Sequence, residues 1–105
     1  MRRGDVYRVT LPQRRGREQA GSRYAVVVQA DELLGLSTAV VAPTSQRAAP
    51  TTFRPEIEVR GQPTRVLVEQ LSAVDVQRLG RRAGTLTNSE QSAVDDALSL
   101  VLALR

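Results

Sequence analysis

The sequence predicts a mainly β protein, in which a small, strongly curved antiparallel sheet or partly open barrel is followed by one C-terminal helix. Two observations predict this class. Short β-branched segments alternate with turns rich in glycine and proline, and a stretch with helical spacing lies at the end. We expect the 105 residues to form a single domain over residues 1–105. A chain of this length removes roughly two-thirds of its surface from water on folding, which suffices for a core without disulfides.

Five or six short strands are predicted from the order of apolar runs and turn residues. They span residues 6–11, 24–30, 38–42, 53–60, 65–70 and, more weakly, 82–86. Residues 24–30 (YAVVVQA) favour a central strand buried on both faces, and Pro43 should end the next strand because it lacks a backbone donor. Pro55 makes residues 53–60 an edge strand, and residues 61–63 form the turn after it.

Helical structure is predicted in two places. Residues 74–79 fit a single helical turn that opens at Asp75 and is closed by Gly80. The clearer helix follows Thr87, because Glu90 three residues later completes a capping box and apolar residues then recur at helical spacing. The C-terminal helix therefore has one apolar face.

The absence of histidine and cysteine excludes several functional classes: zinc fingers, cysteine nucleophiles, Ser-His-Asp triads, histidine-based ribonuclease chemistry and disulfide frameworks. All fifteen basic residues are arginine, whose planar fork suits phosphate and carboxylate groups. Seven of them lie in residues 1–30 against two acidic residues, whereas residues 83–104 contain no basic residue. The use of arginine in place of lysine has a competing explanation in the base composition of a genome, whereas the asymmetry indicates a face that binds a polyanion.

Membrane, metal and stacking functions are not favoured by the sequence. The longest apolar run, residues 100–104, is too short to cross a bilayer, and no targeting segment is recognisable, so we expect a cytoplasmic protein. No carboxylate cluster has the spacing of metal ligands, and we expect neither a metal nor a cofactor. Three aromatic residues are too few for a row of base-stacking rings.

Three positions combine reactive groups with the ends of predicted strands. Arg23 lies where a long polar loop meets a buried strand, which suits a phosphate clamp as well as a solvated strand end. Thr44 and Ser45 follow Pro43, and their hydroxyls suit either a turn or a phosphate oxygen. Glu69 lies at the end of an apolar run, so it is either an ion-pair partner or a poised acid or base.

The order of several short motifs resembles the opening and the later strands of one known family. The motifs are residues 3–7 (RGDVY), 16–19 (GREQ), 23–28 (RYAVVV), 40–45 (VVAPTS) and 68–71 (VEQL), followed by Val74-Asp75 and Arg78-Leu79. Together they resemble the MazF/PemK family of toxin endoribonucleases of type II toxin-antitoxin systems. The resemblance covers nearly the whole chain, including the C-terminal helix.

The resemblance implies a small SH3-like barrel that acts as a homodimer and cuts single-stranded RNA at preferred sequences without a metal. The family's catalytic arginine and hydroxyl correspond to Arg23 and Ser45, with Thr44 as the alternative hydroxyl. Tyr24 stands where the family commonly has proline, and Ser72 where many members have arginine. The resemblance also implies a cognate antitoxin, for which an acidic, partly disordered segment would suit the basic face.

Roles for the remaining residues follow from the chemistry of RNA cleavage. Arg23 would stabilise charge on the attacked phosphate, and Glu69 or Glu18 would orient Arg23 or accept a proton. The RNA is expected to contact Arg14, Arg15, Arg17, Gln19, Arg47 and Gln70. Two other functions fit the same fold: a non-catalytic toxin that binds a protein target, as the related CcdB group does, and a general RNA-binding barrel.

Overall fold

The computed structural model of the protein describes residues 1–11 and 21–104. In this part of the chain, seven strands form a curled antiparallel sheet, and one α-helix follows them. The strands are Asp5–Leu11 (β1), Gly21–Val27 (β2), Thr38–Ser45 (β3), Glu56–Val59 (β4), Gln62–Val66 (β5), Ser72–Asp75 (β6) and Leu79–Thr85 (β7), and the helix is Asn88–Val101 (α1). Their order across the sheet is β4-β5-β3-β2-β1-β7, and β6 pairs with β3 beside this path. The predicted fold class, a curled antiparallel sheet with a C-terminal helix, is confirmed.

The sheet is buried on both faces at its centre. Val26 in β2 belongs to one apolar cluster and Val27 to another, because successive residues of a strand point to opposite faces. The first cluster includes Val94, Ala97 and Leu98 of α1, so the helix covers that face. The prediction that β2 is buried on both faces is therefore confirmed, although the strand spans Gly21–Val27 and not residues 24–30.

The helix begins with the predicted capping box. The Thr87 hydroxyl accepts a hydrogen bond from the Glu90 backbone N–H, and the Glu90 carboxylate accepts one from the Thr87 N–H at 2.9 Å. The other oxygen of Glu90 accepts a hydrogen bond from the Glu58 N–H at 2.8 Å, which ties the helix to β4. The described part of the chain holds no helix with the length and apolar character that a membrane crossing requires.

The prediction that Pro43 ends the third strand is wrong, because β3 continues to Ser45. Here the pairing of β3 with β2 ends, and on its other edge β3 passes from β6 to β5, so that Thr44 lies opposite Val66. The Pro43 carbonyl accepts a hydrogen bond from the Leu67 N–H at 2.8 Å. The backbone N and C=O of one strand residue point to the same edge of the strand, so the Pro43 nitrogen also points to the edge that carries β6 and β5. It lies between the residues of β3 that pair with β6 and those that pair with β5, where no backbone N–H of β3 is needed for pairing.

The β4–β5 hairpin also differs from the prediction. Arg60 and Gly61, with φ of 52° and 80°, form a two-residue turn of the type with two positive φ angles. As a result residues 62 and 63 already belong to β5, and β5 ends at Val66. The prediction of a strand over residues 65–70 is wrong at its far end, because Val68–Gln70 form a 3-10 turn. The edge position of β4 is confirmed, although the strand is shorter than residues 53–60.

The segment before the helix contains a strand that the sequence did not indicate. Residues 72–75 form β6, and the predicted helical turn is confined to Val76–Arg78. It does open at Asp75, whose carboxylate accepts a hydrogen bond from the Gln77 N–H at 2.8 Å. The last strand is β7, which begins three residues earlier than the predicted residues 82–86.

Candidate active site

The candidate site lies where β3 changes partners. The β2–β3 register pairs Ala25 with Pro43, and two further steps of the same register would place Arg23 opposite Ser45. The β2–β3 pairing stops before that point, while on its other edge β3 pairs with β5, where Ser45 lies opposite Arg65. The strands β2 and β3 therefore diverge at the two residues that the sequence singled out.

A cavity of about 680 Å³ occupies this divergence, and we call it the first cavity. It is lined by Arg8, Arg23, Tyr24, Thr44, Ser45, Gln46, Arg47, Val59, Arg60, Gln62 and Thr64. Residues from β1, β2, β3, the β4–β5 turn and β5 thus meet in one concave site. A space of this size is in the range of sites that enclose a small ligand or a nucleotide.

The two neighbouring hydroxyls of β3 have different partners. The Thr44 hydroxyl donates a hydrogen bond to the Tyr24 carbonyl at 2.9 Å, so its proton is used within the sheet. In the hydrogen bond that the described residues give Ser45, its Oγ is the acceptor, from the Arg47 N–H at 3.2 Å. The Ser45 proton is thereby available to a ligand, although both side chains are buried to more than nine-tenths.

The charge of the first cavity is uniformly positive. Four arginines line it, and no acidic side chain is found among its described lining residues. The guanidinium groups of Arg23, Arg47 and Arg60 make no hydrogen bond or ion pair with residues 1–11 or 21–104. Arg8 stacks on Tyr24, with its guanidinium carbon 4.9 Å from the ring centre and one N–H donated to the hydroxyl at 3.3 Å.

This arrangement can bind a phosphodiester and stabilise charge on it. A guanidinium group offers paired N–H donors to phosphate oxygens, and a serine hydroxyl can donate a further hydrogen bond. Because no carboxylate in the described lining competes for the arginines, their charge is available to an anionic ligand.

Comparison with known proteins identifies the family of this chain. The sequence profile of the family described as "PemK-like, MazF-like toxin of type II toxin-antitoxin system" matches residues 2–102. The chain belongs to this family. A candidate toxin of Mycobacterium tuberculosis is 39% identical to this MazF-like toxin over 104 residues, which are 97% of each chain.

Solved structures of low sequence identity share the fold of this MazF-like toxin. An endoribonuclease in complex with its cognate antitoxin, from a mycobacterial species, has a TM-score of 0.86 at 17% identity and covers 100% of this chain and 97% of its own. MazF from Deinococcus radiodurans has a TM-score of 0.85 at 20% identity, with 98% and 96% covered. These values establish the fold of the family for this chain.

The structure brings together some of the predicted site residues and separates others. Arg23, Thr44, Ser45 and Arg47 all line the first cavity. Glu69 and Gln70 lie on the 3-10 turn Val68–Gln70 and line neither this cavity nor any other described one. The predictions for Arg14, Arg15, Arg17, Glu18 and Gln19 fall outside the described residues.

Glu69 is an ion-pair partner in the structure. One of its oxygens accepts two hydrogen bonds from the Arg54 guanidinium, at 2.6 and 2.9 Å, and both side chains are about three-quarters buried. The Arg54 carbonyl in turn accepts a hydrogen bond from Arg65 at 2.8 Å. Of the two interpretations that the sequence left open for Glu69, the ion pair is the one observed, and the expected proximity to Arg23 is not.

Seven lining residues of this MazF-like toxin were not among the predicted site residues, and three of them, Arg8, Tyr24 and Arg60, shape its charged wall. The β1–β2 register pairs Arg8 with Tyr24, which brings the arginine over the ring. Arg60 reaches the cavity from the tip of the β4–β5 turn, at a positive φ that is unfavourable for a residue other than glycine. The Arg-Gly pair between two strands was the available signal for Arg60, since Gly favours such a turn.

Proposed function

We propose that this MazF-like toxin is a metal-independent, sequence-specific endoribonuclease that cuts single-stranded RNA. The observation that carries the proposal is the convergence of Arg23 and Ser45 on a cavity lined by arginines and, in its described part, by no carboxylate. The names of structural neighbours, two of which are endoribonucleases from mycobacterial species, support it. An open arginine-lined site also favours a polyanion over a protein target.

The cleavage step uses the ribose 2′-hydroxyl as nucleophile. The 2′-oxygen attacks the adjacent phosphorus, the bond from phosphorus to the 5′-oxygen breaks, and the products are a 2′,3′-cyclic phosphate and a 5′-hydroxyl. Arg23 stabilises the charge that develops on the non-bridging oxygens, and Ser45 donates a hydrogen bond to one of them. The 2′-hydroxyl proton passes to Glu18, the sequence's other candidate acceptor, and the departing 5′-oxygen takes a proton from water.

Sequence preference and metal independence are supported by the lining. Gln46, Gln62 and Thr64 are polar side chains of the first cavity that can hydrogen-bond the edges of unstacked bases. No group of three or more metal-ligating side chains comes together in residues 1–11 and 21–104. The positive charge of the cavity also disfavours a divalent cation.

Incubation of the purified protein with cellular RNA tests this proposal. We expect discrete cut sites in primer-extension mapping, unchanged by EDTA, because the proposed cleavage needs no metal. The downstream fragments should carry 5′-hydroxyl ends, which polynucleotide kinase labels without phosphatase treatment. Random degradation, or cleavage lost in EDTA, would contradict the proposed mechanism.

The partners follow from the same site. We propose that the toxin acts in the cytoplasm as a homodimer and that an acidic segment of a cognate antitoxin covers the first cavity, offsetting its arginine charge. A structural neighbour described as an endoribonuclease in complex with its cognate antitoxin supports such a partner. Gel filtration of the toxin at micromolar concentration tests the dimer.

Substitution of Glu69 by glutamine separates its two proposed roles. We expect Glu69→Gln to keep the cleavage rate within about threefold, because the side chain contacts Arg54 and does not line the cavity. Its free energy of unfolding should fall by about 1–2 kcal/mol, since the partly buried Arg54 loses its counter-charge. Single-turnover cleavage and urea unfolding measure the two effects. Glu18→Gln is the comparison, and there the cleavage rate should fall.

A further inference from the structure

A second, smaller cavity continues the first one along the sheet. It has a volume of about 270 Å³ and is lined by Arg8, Tyr24, Arg60, Arg81, Arg82 and Ala83. Three of these residues, namely Arg8, Tyr24 and Arg60, also line the first cavity. The two cavities are therefore adjacent parts of one groove, and these three side chains are common to both.

Three consecutive residues of β7 line this second cavity, which a regular strand does not permit. Successive residues of a strand point to opposite faces, so Arg81 and Arg82 would normally diverge. The β1–β7 register is interrupted twice: Tyr7 lies opposite Arg82 and Val9 opposite Leu79, so two residues of β7 oppose Arg8 alone. A second shift leaves Ala83 unpaired. Bulges re-aim side chains in this way and are common beside functional sites.

A glycine permits the bulge at the point of closest approach. A Cβ atom on Gly80 would lie 3.2 Å from the backbone oxygen of Arg8, closer than ordinary contact. Because Gly80 has no side chain, β7 can approach β1 closely at the bulge, where Gly80 and Arg81 lie opposite Arg8. Arg81 is thereby held next to Arg8 by backbone geometry.

Arginine side chains line the groove along its whole length. Six different arginines line the two cavities, and none of their described lining residues is acidic. Arg81 makes no hydrogen bond or ion pair with the described residues, while Arg82 has a contact of 3.4 Å with Asp5 and a side chain 53% exposed. Asp5 thus partly neutralises the charge of Arg82, whereas no described carboxylate neutralises that of Arg81.

We propose that the second cavity is a phosphate subsite for a nucleotide that flanks the cleaved bond, with Arg81 as its principal ligand. The proposal rests on the proposed function, because it extends the RNA path beyond the first cavity. Tyr24 is the aromatic ring of this lining, and Arg8 already covers one of its faces. The subsite therefore recognises the backbone charge of RNA, and its contribution depends on the length of the RNA and not on its sequence.

The test compares Arg81→Gln with Arg78→Gln. Both changes remove one exposed arginine, but Arg78 lies on the 3-10 turn before β7 and lines none of the described cavities. The probes are fluorescent 2′-O-methyl oligouridylates of three and of twelve nucleotides, which lack the attacking hydroxyl. Binding is followed by anisotropy at several salt concentrations, and thermal unfolding verifies that both variants are folded.

We expect Arg81→Gln to weaken binding of the long probe about fivefold or more at low salt and to leave the short probe unaffected. The slope of log K against log salt should decrease in magnitude by about 0.7, the value for one phosphate contact of a single strand. Arg78→Gln should match the wild type with both probes.

Two results overturn the subsite and distinguish it from the proposed function. If Arg81→Gln and Arg78→Gln bind the long probe equally while Arg47→Gln weakens both probes, the second subsite is wrong and the RNA-binding first cavity stands. If the wild type binds neither probe, the sequence-independent subsite is wrong, whereas the proposed function is decided by the primer-extension mapping of cellular RNA.

Discussion

Substitution of Arg23 by glutamine is expected to lower the rate of RNA cleavage by about 10²–10³, the usual cost of removing one donor to a developing oxyanion. Arg23 lines the first cavity, and its guanidinium makes no ion pair with the described residues. The fold should therefore survive its loss, and the whole effect should appear in catalysis. Single-turnover cleavage measures the rate, and thermal unfolding should give the wild-type midpoint.

A second arginine of the same cavity provides the matched comparison. Arg47→Gln removes the same charge, but we expect it mainly to weaken RNA binding, because Arg47 lies beyond the strand end and is proposed to hold the backbone. The rate at saturating RNA should then stay within about threefold of wild type, since lost ground-state binding leaves the chemical step unchanged. Equal rate losses in Arg23→Gln and Arg47→Gln would contradict the proposal that Arg23 in particular stabilises the charge of the transition state.

The fold class was predictable because its signals are local. The Thr87–Glu90 capping box and the apolar run of β2 are each written in a few adjacent residues, and both occur in the structure. β6 was not predictable, since Val74 is its only buried residue and no alternation marks it. The continuation of β3 beyond Pro43 depends on β5 and Leu67, which are distant in the sequence.

The candidate site shows the same division. Arg23 and Ser45 were selected through residues beside them in the sequence, and both line the first cavity because the β2–β3 pairing ends at Ala25 and Pro43, just before them. Arg60 and Arg81 were missed, because one depends on a turn with two positive φ angles and the other on a bulge in β7. Glu69 could not be assigned, since its ion-pair partner Arg54 belongs to a different segment.

The two hydroxyls of β3 should differ in what their loss affects. Ser45→Ala is expected to lower the cleavage rate by about 10², because the Ser45 proton is available to a phosphate oxygen. Thr44→Ala removes the hydrogen bond to the Tyr24 carbonyl, which should cost about 1 kcal/mol of unfolding free energy. Its effect on the rate should be smaller than that of Ser45→Ala.

Single-turnover cleavage and urea unfolding of both variants separate these effects. Ser45→Thr is the control that keeps a hydroxyl, and it should retain most of the rate, since the donor to the phosphate oxygen remains. Thr44→Val keeps the shape of the side chain and should reproduce the stability loss of Thr44→Ala, because the lost donor and not the lost volume causes it. A rate loss confined to the Thr44 variants would transfer the phosphate contact to Thr44, and β3 would then present its other hydroxyl to the RNA.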